Sequence, residues 1–340
     1  MKASGVSQEL LRFHEALDLA RTLLSQSRKL VEEARVSPEA SILVLEAYRF
    51  ATGQKLSSFE FLQKLESRAQ PEFPRQAQEQ LQLWCQRRVQ GEPLQYLTRV
   101  QTFFDHEYCV GPEVLVPRPE TEVLLQTALD QLTRSGSSPA LGLEIGLGSG
   151  VLSIELLSRF PSLRMVASEV SEKAQGLALK NATAVLGETS LGAARLKVLQ
   201  PLAQTQVFEC FDRFCNSDPR VSFRRHADFL ISNPPYLVHE NEVDPEVLSY
   251  EPHVALFAPE GDALFFYRKI CDQAHLWVRT GGWIFLELPH ERAKAIEAMF
   301  QGGYAQVKLI SDLTGRPRVL AAQVGSWDGN PVQEVQKNDG

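Results

Sequence analysis

Two short segments carry residues able to do chemistry together. The first is Asn233-Pro234-Pro235-Tyr236. An asparagine side-chain oxygen accepts hydrogen bonds, and so does the Pro234 carbonyl. Two acceptors on one planar amide or amine NH2 group push electron density onto a nitrogen whose lone pair is otherwise delocalised, and aim it at an electrophile. Two consecutive prolines stiffen the loop, so little ordering entropy is lost on binding. Tyr236 can pack on the planar group. Placement of this kind supplies roughly 7–11 kcal/mol of barrier reduction in the best cases. A general base is not required, because the proton becomes acidic once transfer begins. The plain alternative is a rigid turn beside a strand. The second segment is the glycine cluster Gly146-Leu147-Gly148-Ser149-Gly150, with Glu169 about 20 residues on. Glycines there permit a tight turn and close approach of a ligand to the backbone. A carboxylate at the end of the next strand can accept two hydrogen bonds from ribose hydroxyls.

These residues need a scaffold, and the apolar pattern supplies one. Strands are predicted at 141–145, 164–168, 196–199, 227–232 and 283–288, with helices at 151–159, 172–185, 261–278 and 291–300 between them. Segments 304–311 and 317–324 read as a closing antiparallel pair. Alternation of strand and helix implies a mostly parallel sheet covered on both faces. Ligands of such sheets bind beyond the carboxyl ends of the strands, so the two chemical segments should share one crevice.

Residues 8–90 read as helices only, with apolar positions such as Leu10, Phe13, Leu17, Ala20 and Leu24 at helical spacing. Residues 9–35 can form one amphipathic helix. Ser37-Pro38 reads as a helix start and Gly53 as a helix end; 59–65 and 77–89 read as further helices. Gly91-Glu92-Pro93 breaks that pattern. Phe103, Phe104, Tyr108, Val110, Val114 and Val116 suggest a hairpin turning at Gly111-Pro112, and 120–132 a helix. The expected organisation is a helical domain over 1–92, a hairpin linker over 93–118, an α/β domain over 119–326 and a flexible tail over 327–340.

The chain has 340 residues and a net charge of −7, with +2 on residues 1–90 and −9 on the rest. The acidic part holds the candidate site, which argues against a nucleic-acid substrate. No apolar run approaches the roughly 18 residues of a membrane helix. The N-terminus does not read as a secretory signal, and its acids argue against a transit peptide. The five cysteines, Cys85, Cys109, Cys210, Cys215 and Cys271, form no metal-binding spacing. Reduced thiols in a cytoplasm are expected, with no metal.

The glycine cluster, preceded by Glu144, resembles the ExGxGxG loop of class I methyltransferases. Asn-Pro-Pro-Tyr after the fourth strand is similar to that of the amino-methyltransferases. Three more segments narrow the resemblance: Gly91-Glu92-Pro93-Leu94-Gln95-Tyr96-Leu97, Val114 to Glu122 with its Pro117-Arg118-Pro119-Glu120-Thr121-Glu122 core, and Glu251-Pro252-His253-Val254-Ala255-Leu256. Together with Gly281-Gly282 through Glu287, and Asp312 to Arg318, they resemble the release factor glutamine N5-methyltransferases (PrmC/HemK type) over about residues 80–324. The resemblance implies a class I, Rossmann-like α/β domain with a seven-stranded, mostly parallel sheet, preceded by a small all-helical domain and a β-hairpin linker.

It further implies that S-adenosyl-L-methionine is held by Gly146, Leu147, Gly148, Ser149, Gly150, Glu169 and Asn233. Asn233, Pro234 and Tyr236 would be the catalytic residues. Asn233, Pro234, Pro235 and Tyr236, with Arg118 and Glu120 at the mouth, would meet the glutamine of the GGQ loop of a class 1 release factor. Arg118 and Glu120 can equally form a salt-bridged linker. The ribosomal-protein glutamine methyltransferases tend to carry PRSP where this chain has Pro117-Arg118-Pro119-Glu120, and a nucleic-acid adenine or guanine methyltransferase would carry a basic recognition surface. A binding module that kept only the fold would not need Gly146, Glu169 and Asn233 intact. Val198-Leu199-Gln200-Pro201-Leu202 lacks the acid that the family usually places near the adenine, so no residue is assigned to that contact, and 200–226 is longer than expected.

Overall fold

In the computed structural model the chain forms two compact units, Met1–Arg99 and Val100–Gly340. Residues 10–67, 69, 71–136, 138–188, 192–217 and 224–326 are described; the tail expected over 327–340 lies outside them apart from the division just given. The division falls after Arg99, inside the segment expected as a linker.

The first unit is helical: α1 (Phe13–Leu24), α2 (Arg28–Glu32), α3 (Val36–Thr52), α4 (Ser58–Glu66), α5 (Arg75–Val89) and α6 (Leu94–Thr98). The single helix drawn over 9–35 is broken, because Ser27 caps α2 by accepting from Leu30 N. α3 starts at Val36, before the expected Ser37 cap, after Ala34 turns the chain with φ 55°. Gly53 does end α3, in the left-handed region at φ 71°. Phe13, Leu17, Ala20, Leu43, Ala47, Leu81 and Cys85 lie in one core. Inside it Arg88, 1% exposed, donates from Nε to Glu39 Oε2 at 2.7 Å.

The second unit opens with a hairpin, β1 (Val100–Phe103) and β2 (His106–Cys109), whose register pairs Phe103 with His106. The turn is therefore Phe104-Asp105, and the expected turn at Gly111-Pro112 is corrected. Phe104 takes φ 52°, which a bulky residue rarely adopts, and Asp105, a weaker signal than Gly111-Pro112, is the turn residue at the spot. After α7 (Pro119–Arg134) come β3 (Leu141–Ile145), α8 (Val151–Arg159), β4 (Arg164–Ser168), α9 (Glu172–Leu186), β5 (Leu196–Leu199), α10 (Glu209–Ser217) and β6 (Ala227–Ser232). Then follow α11 (Pro245–Tyr250), α12 (His253–Leu256), α13 (Phe265–Gln273), β7 (Val278–Glu287), α14 (Ala293–Gln301), β8 (Tyr304–Ser311) and β9 (Pro317–Val324). The helix expected over 261–278 is shorter, since residues 274–276 tighten into a 3-10 turn and Val278 already belongs to β7. The longer stretch 200–226 carries α10, and 218–223 lie outside the described residues.

These seven strands form one sheet in the order β5-β4-β3-β6-β7-β9-β8. β3 to β7 pair in parallel, and β9 runs antiparallel to both β7 and β8. Buried side chains cover both faces: Leu230, Ile284 and Leu286 on one, and Phe229, Ile231 and Phe285 on the other. From β3 the chain steps outward to β4 and β5 and then returns past β3 to β6, so the strand order reverses beside β3 and its carboxyl end faces an open crevice. Among the described residues no helix is long and apolar enough to cross a membrane.

Candidate active site

Strand register assembles the site. Ile145 pairs with Ser168 on one side and Ser232 on the other, and Ser232 pairs with Leu286. The next residue along each strand is therefore Gly146, Glu169, Asn233 or Glu287, a row across neighbouring strands spaced about 4.8 Å apart. The crevice beyond them is lined by Gly146, Leu147, Gly148 and Ser149 on one wall and by Asn233, Pro234 and Pro235 on another. The two segments expected to share a crevice do so.

The glycine loop is held open by its backbone. Gly146 N and Leu147 N both donate to Ser168 O, at 2.9 and 3.1 Å. Gly150 caps α8 in the left-handed region at φ 86°, a backbone conformation that favours glycine. Gly150 itself stands outside the crevice lining. Glu169 is 9% exposed; its Oε2 accepts from Gly148 N and its Oε1 from Ser171 N, both at 2.9 Å. Those bonds orient the carboxylate across the loop and leave further lone pairs for a ligand. Burial pushes Glu169 above the usual carboxylate range, against the three backbone N–H groups that favour the ionised form.

Asn233 is half-buried, and its side chain makes one hydrogen bond among the described residues, from Nδ2 to Thr121 Oγ1 at 3.2 Å. Thr121 Oγ1 donates onward to Glu287 Oε2 at 2.8 Å. Neither Asn233 Oδ1 nor the Pro234 carbonyl accepts from a described residue. Both acceptors that the sequence singled out are thus unspent at the crevice. Tyr236 stands just outside the lining, packed against the core cluster of Leu230 and Leu286. Its phenol is pushed up to about 12, chiefly by burial and then by the nearby Glu287.

Arg118 and Glu120 are placed on the frame of the site, away from its lining. Arg118 Nη2 donates to Glu251 Oε1 at 2.5 Å, while Glu251 Oε2 accepts from Val116 N at 3.0 Å. Glu251 is 3% exposed, so this pair pins the segment whose Pro252, Val254 and Ala255 roof the crevice. Glu120 pairs with Arg318 at 3.8 Å.

Several residues at the site carried no assigned role from the sequence. Thr121 and Glu144 line the crevice. Glu144 is fully buried, takes a hydrogen bond from Ser153 Oγ, and is pushed up to about 8 by burial. A lone acid inside an apolar run, such as Leu141 to Ile145 or Trp283 to Leu288, is a readable signal, because burying a carboxylate is costly without purpose. Asn181 of α9 accepts from Cys109 N (2.8 Å) and donates to Cys109 O (3.0 Å) and Ser149 O (2.9 Å). It ties β2 to the glycine loop. Where an acid was sought after β5, the crevice is lined by Pro201, Gln204 and Val207.

The donor set suits a charged nucleoside ligand. Open space lies where Cβ atoms of Gly146 and Gly148 would stand, Glu169 offers carboxylate oxygens, and Pro201, Val207 and Leu115 offer apolar surface for a flat base. Ser168, 1% exposed, lines the crevice with an Oγ that has no hydrogen-bond partner among the described residues. Sheet order, glycine loop and acid at the second strand end define a Rossmann-like methyltransferase domain.

No family model matches the chain. Individual relatives do. Residues of this chain are 33% identical over 240 positions to the release factor glutamine methyltransferase of Burkholderia pseudomallei, covering 70% of this chain and 78% of that protein. The enzyme of the same name from Geobacter sulfurreducens is 33% identical over 242 positions, covering 70% and 76%. That of Koribacter versatilis is 30% identical over 239, again covering 70% and 76%. The chain belongs to the release factor glutamine methyltransferase family.

Proposed function

We propose that this protein transfers the methyl group of S-adenosyl-L-methionine to the side-chain amide nitrogen, N5, of the glutamine in the GGQ loop of class 1 peptide chain release factors. The observation that carries this reading is the pair of unspent acceptors, Asn233 Oδ1 and the Pro234 carbonyl, one strand away from the glycine loop and two from Glu169. An amide NH2 offers two donors, and two fixed acceptors match them. Hydrogen bonds to both would raise the nitrogen's electron density and hold it in line, which is catalysis by placement and polarisation.

When bound, the cofactor supplies an electrophilic methyl group on a sulfonium. Gly146, Leu147, Gly148 and Ser149 would lie along it, Glu169 would accept from its ribose hydroxyls, and Pro201 and Val207 would face the adenine. Asn233 would touch both cofactor and glutamine, with Pro234, Pro235 and Tyr236 shaping the glutamine pocket. Arg118 would act through Glu251, by fixing the roof of the crevice. The helical unit would help to hold the release factor; Phe59 and Leu62, one turn apart on α4 and exposed, are suitable apolar contacts. A cytoplasmic location follows from such a partner.

The test is methyl transfer from labelled S-adenosyl-L-methionine. The substrates, in separate reactions, are a release factor, the same factor with its GGQ glutamine replaced, a ribosomal protein and DNA. Label on the unaltered release factor alone is expected. Label on DNA or on the ribosomal protein instead would overturn the assignment.

A further inference from the structure

Only one end of the Asn233 amide can do the work described. The torsion that interchanges Oδ1 and Nδ2 is broad and roughly two-fold, so its own energetics do not choose between them. A flipped amide would present an N–H group to the substrate's N–H, and the polarising hydrogen bond would be lost. Something outside the asparagine must therefore select the productive orientation.

We propose that Thr121 and Glu287 are positioning residues that fix the orientation of the Asn233 side chain. This rests on the reading of the site just given. A threonine hydroxyl has one proton and two lone pairs. Here that proton goes to Glu287 Oε2, and an ionised carboxylate can only accept. The Thr121 oxygen is left as an acceptor, so it takes the N–H end of Asn233, as observed at 3.2 Å. Turning the amide over would set Oδ1 against that lone pair. The direction of the relay, Asn233 to Thr121 to Glu287, thus leaves Oδ1 at the crevice.

The placement is rigid. Thr121 and Glu287 are 3% and 5% exposed. Thr121 sits in the first turn of α7, its N–H bonded to Arg118 O at 3.0 Å. Glu287 directly follows Leu286, the register partner of Ser232, so the sheet itself sets its separation from Asn233. Tyr267 further anchors this position by donating from its hydroxyl to the Glu287 carbonyl at 2.9 Å. Glu287 forms no ion pair among the described residues. A buried carboxylate without a paired cation is costly, and a neutral or apolar residue would pack there more cheaply. Retaining the acid is explained by its ionised form being an acceptor that cannot donate.

The experiment compares the wild-type protein with Thr121→Val, which keeps the shape and removes the hydroxyl, and Thr121→Ser, which restores it. Steady-state methyl transfer to a release factor gives kcat and KM; calorimetry gives cofactor affinity. Selective 15N-asparagine labelling reads hydrogen exchange at Asn233 Nδ2 with no substrate present. Thr121→Val should lower kcat on the order of 10- to 100-fold, short of the loss of a preorganised group outright, with KM and cofactor Kd within about threefold. Thr121→Ser should recover most of kcat. One slowly exchanging Asn233 proton should be present in wild type and Thr121→Ser and absent in Thr121→Val. A valine variant with undiminished kcat, or one whose protected proton persists, overturns the proposal. If the wild-type protein leaves release factors unlabelled, the functional reading fails, and the exchange comparison still decides the relay.

Discussion

Replacing Asn233 by alanine removes one of the two acceptors and leaves the other, the Pro234 carbonyl, in place. The cost to folding is small: one hydrogen bond to Thr121 at 3.2 Å from a half-buried residue is worth about 0.5–1.5 kcal/mol. The cost to catalysis is larger. Loss of a single preorganised polar group aimed at developing charge typically lowers kcat about 10²–10³-fold, about 2.7–4 kcal/mol. Asn233→Ala should therefore turn over 10²–10³-fold more slowly by that same measure. Cofactor binding should change only a few fold, because Glu169 and its backbone N–H partners Gly148 and Ser171 are untouched. Single-turnover transfer of labelled methyl to a release factor measures the first, and titration calorimetry with S-adenosyl-L-methionine the second. A variant within about tenfold of wild-type turnover would refute the acceptor argument. Abolished cofactor binding would recast Asn233 as chiefly a cofactor residue.

Burial, opposed by the Thr121 hydrogen bond, pushes Glu287 up to about 7; Glu120 raises it further while Arg318 and Arg118 pull it down. The relay needs the ionised form, so kcat should fall as pH drops through about 7. Glu144, at about 8, titrates nearby, and Glu287→Gln should abolish the lower inflection alone; a profile in which that inflection survives speaks against the assignment. Glu169→Ala should weaken cofactor affinity by about 1.5–3 kcal/mol, the range for hydrogen bonds to a charged group, and calorimetry showing an unchanged Kd would remove Glu169 from the cofactor site. Asn181→Ala leaves Cys109 N, Cys109 O and Ser149 O without their partner and should cost about 1–3 kcal/mol; an unshifted denaturant midpoint would contradict this.

Most of the parallel strands were legible because they are short apolar runs between polar or glycine-rich breaks. Leu141–Ile145, Arg164–Ser168, Leu196–Leu199 and Ala227–Ser232 begin and end where the pattern placed them. β7 was drawn too short because Gly281-Gly282 reads as a break. In the sheet the strand continues through both, and a Cβ on Gly282 would lie 2.7 Å from Asp228 O, so close backbone packing dictates that glycine. The hairpin was misplaced for the opposite reason, since its turn puts Phe104 at positive φ and offers Asp105 as its turn residue, a weaker signal than Gly111-Pro112.

What the sequence determined by itself was chemical: which loops could approach a ligand, which oxygens could accept, and that Asn233, Glu169 and three glycines belong together by type. Local steric rules suffice for that, because glycine frees its own backbone and proline restricts it wherever they stand. The row Glu169, Gly146, Asn233, Glu287 came only with folding, through the pairs Ile145–Ser168, Ile145–Ser232 and Ser232–Leu286. Strand register joins residues far apart in the chain and is fixed by burial on both sheet faces, so no local pattern could show that Glu287 and Thr121 would reach Asn233.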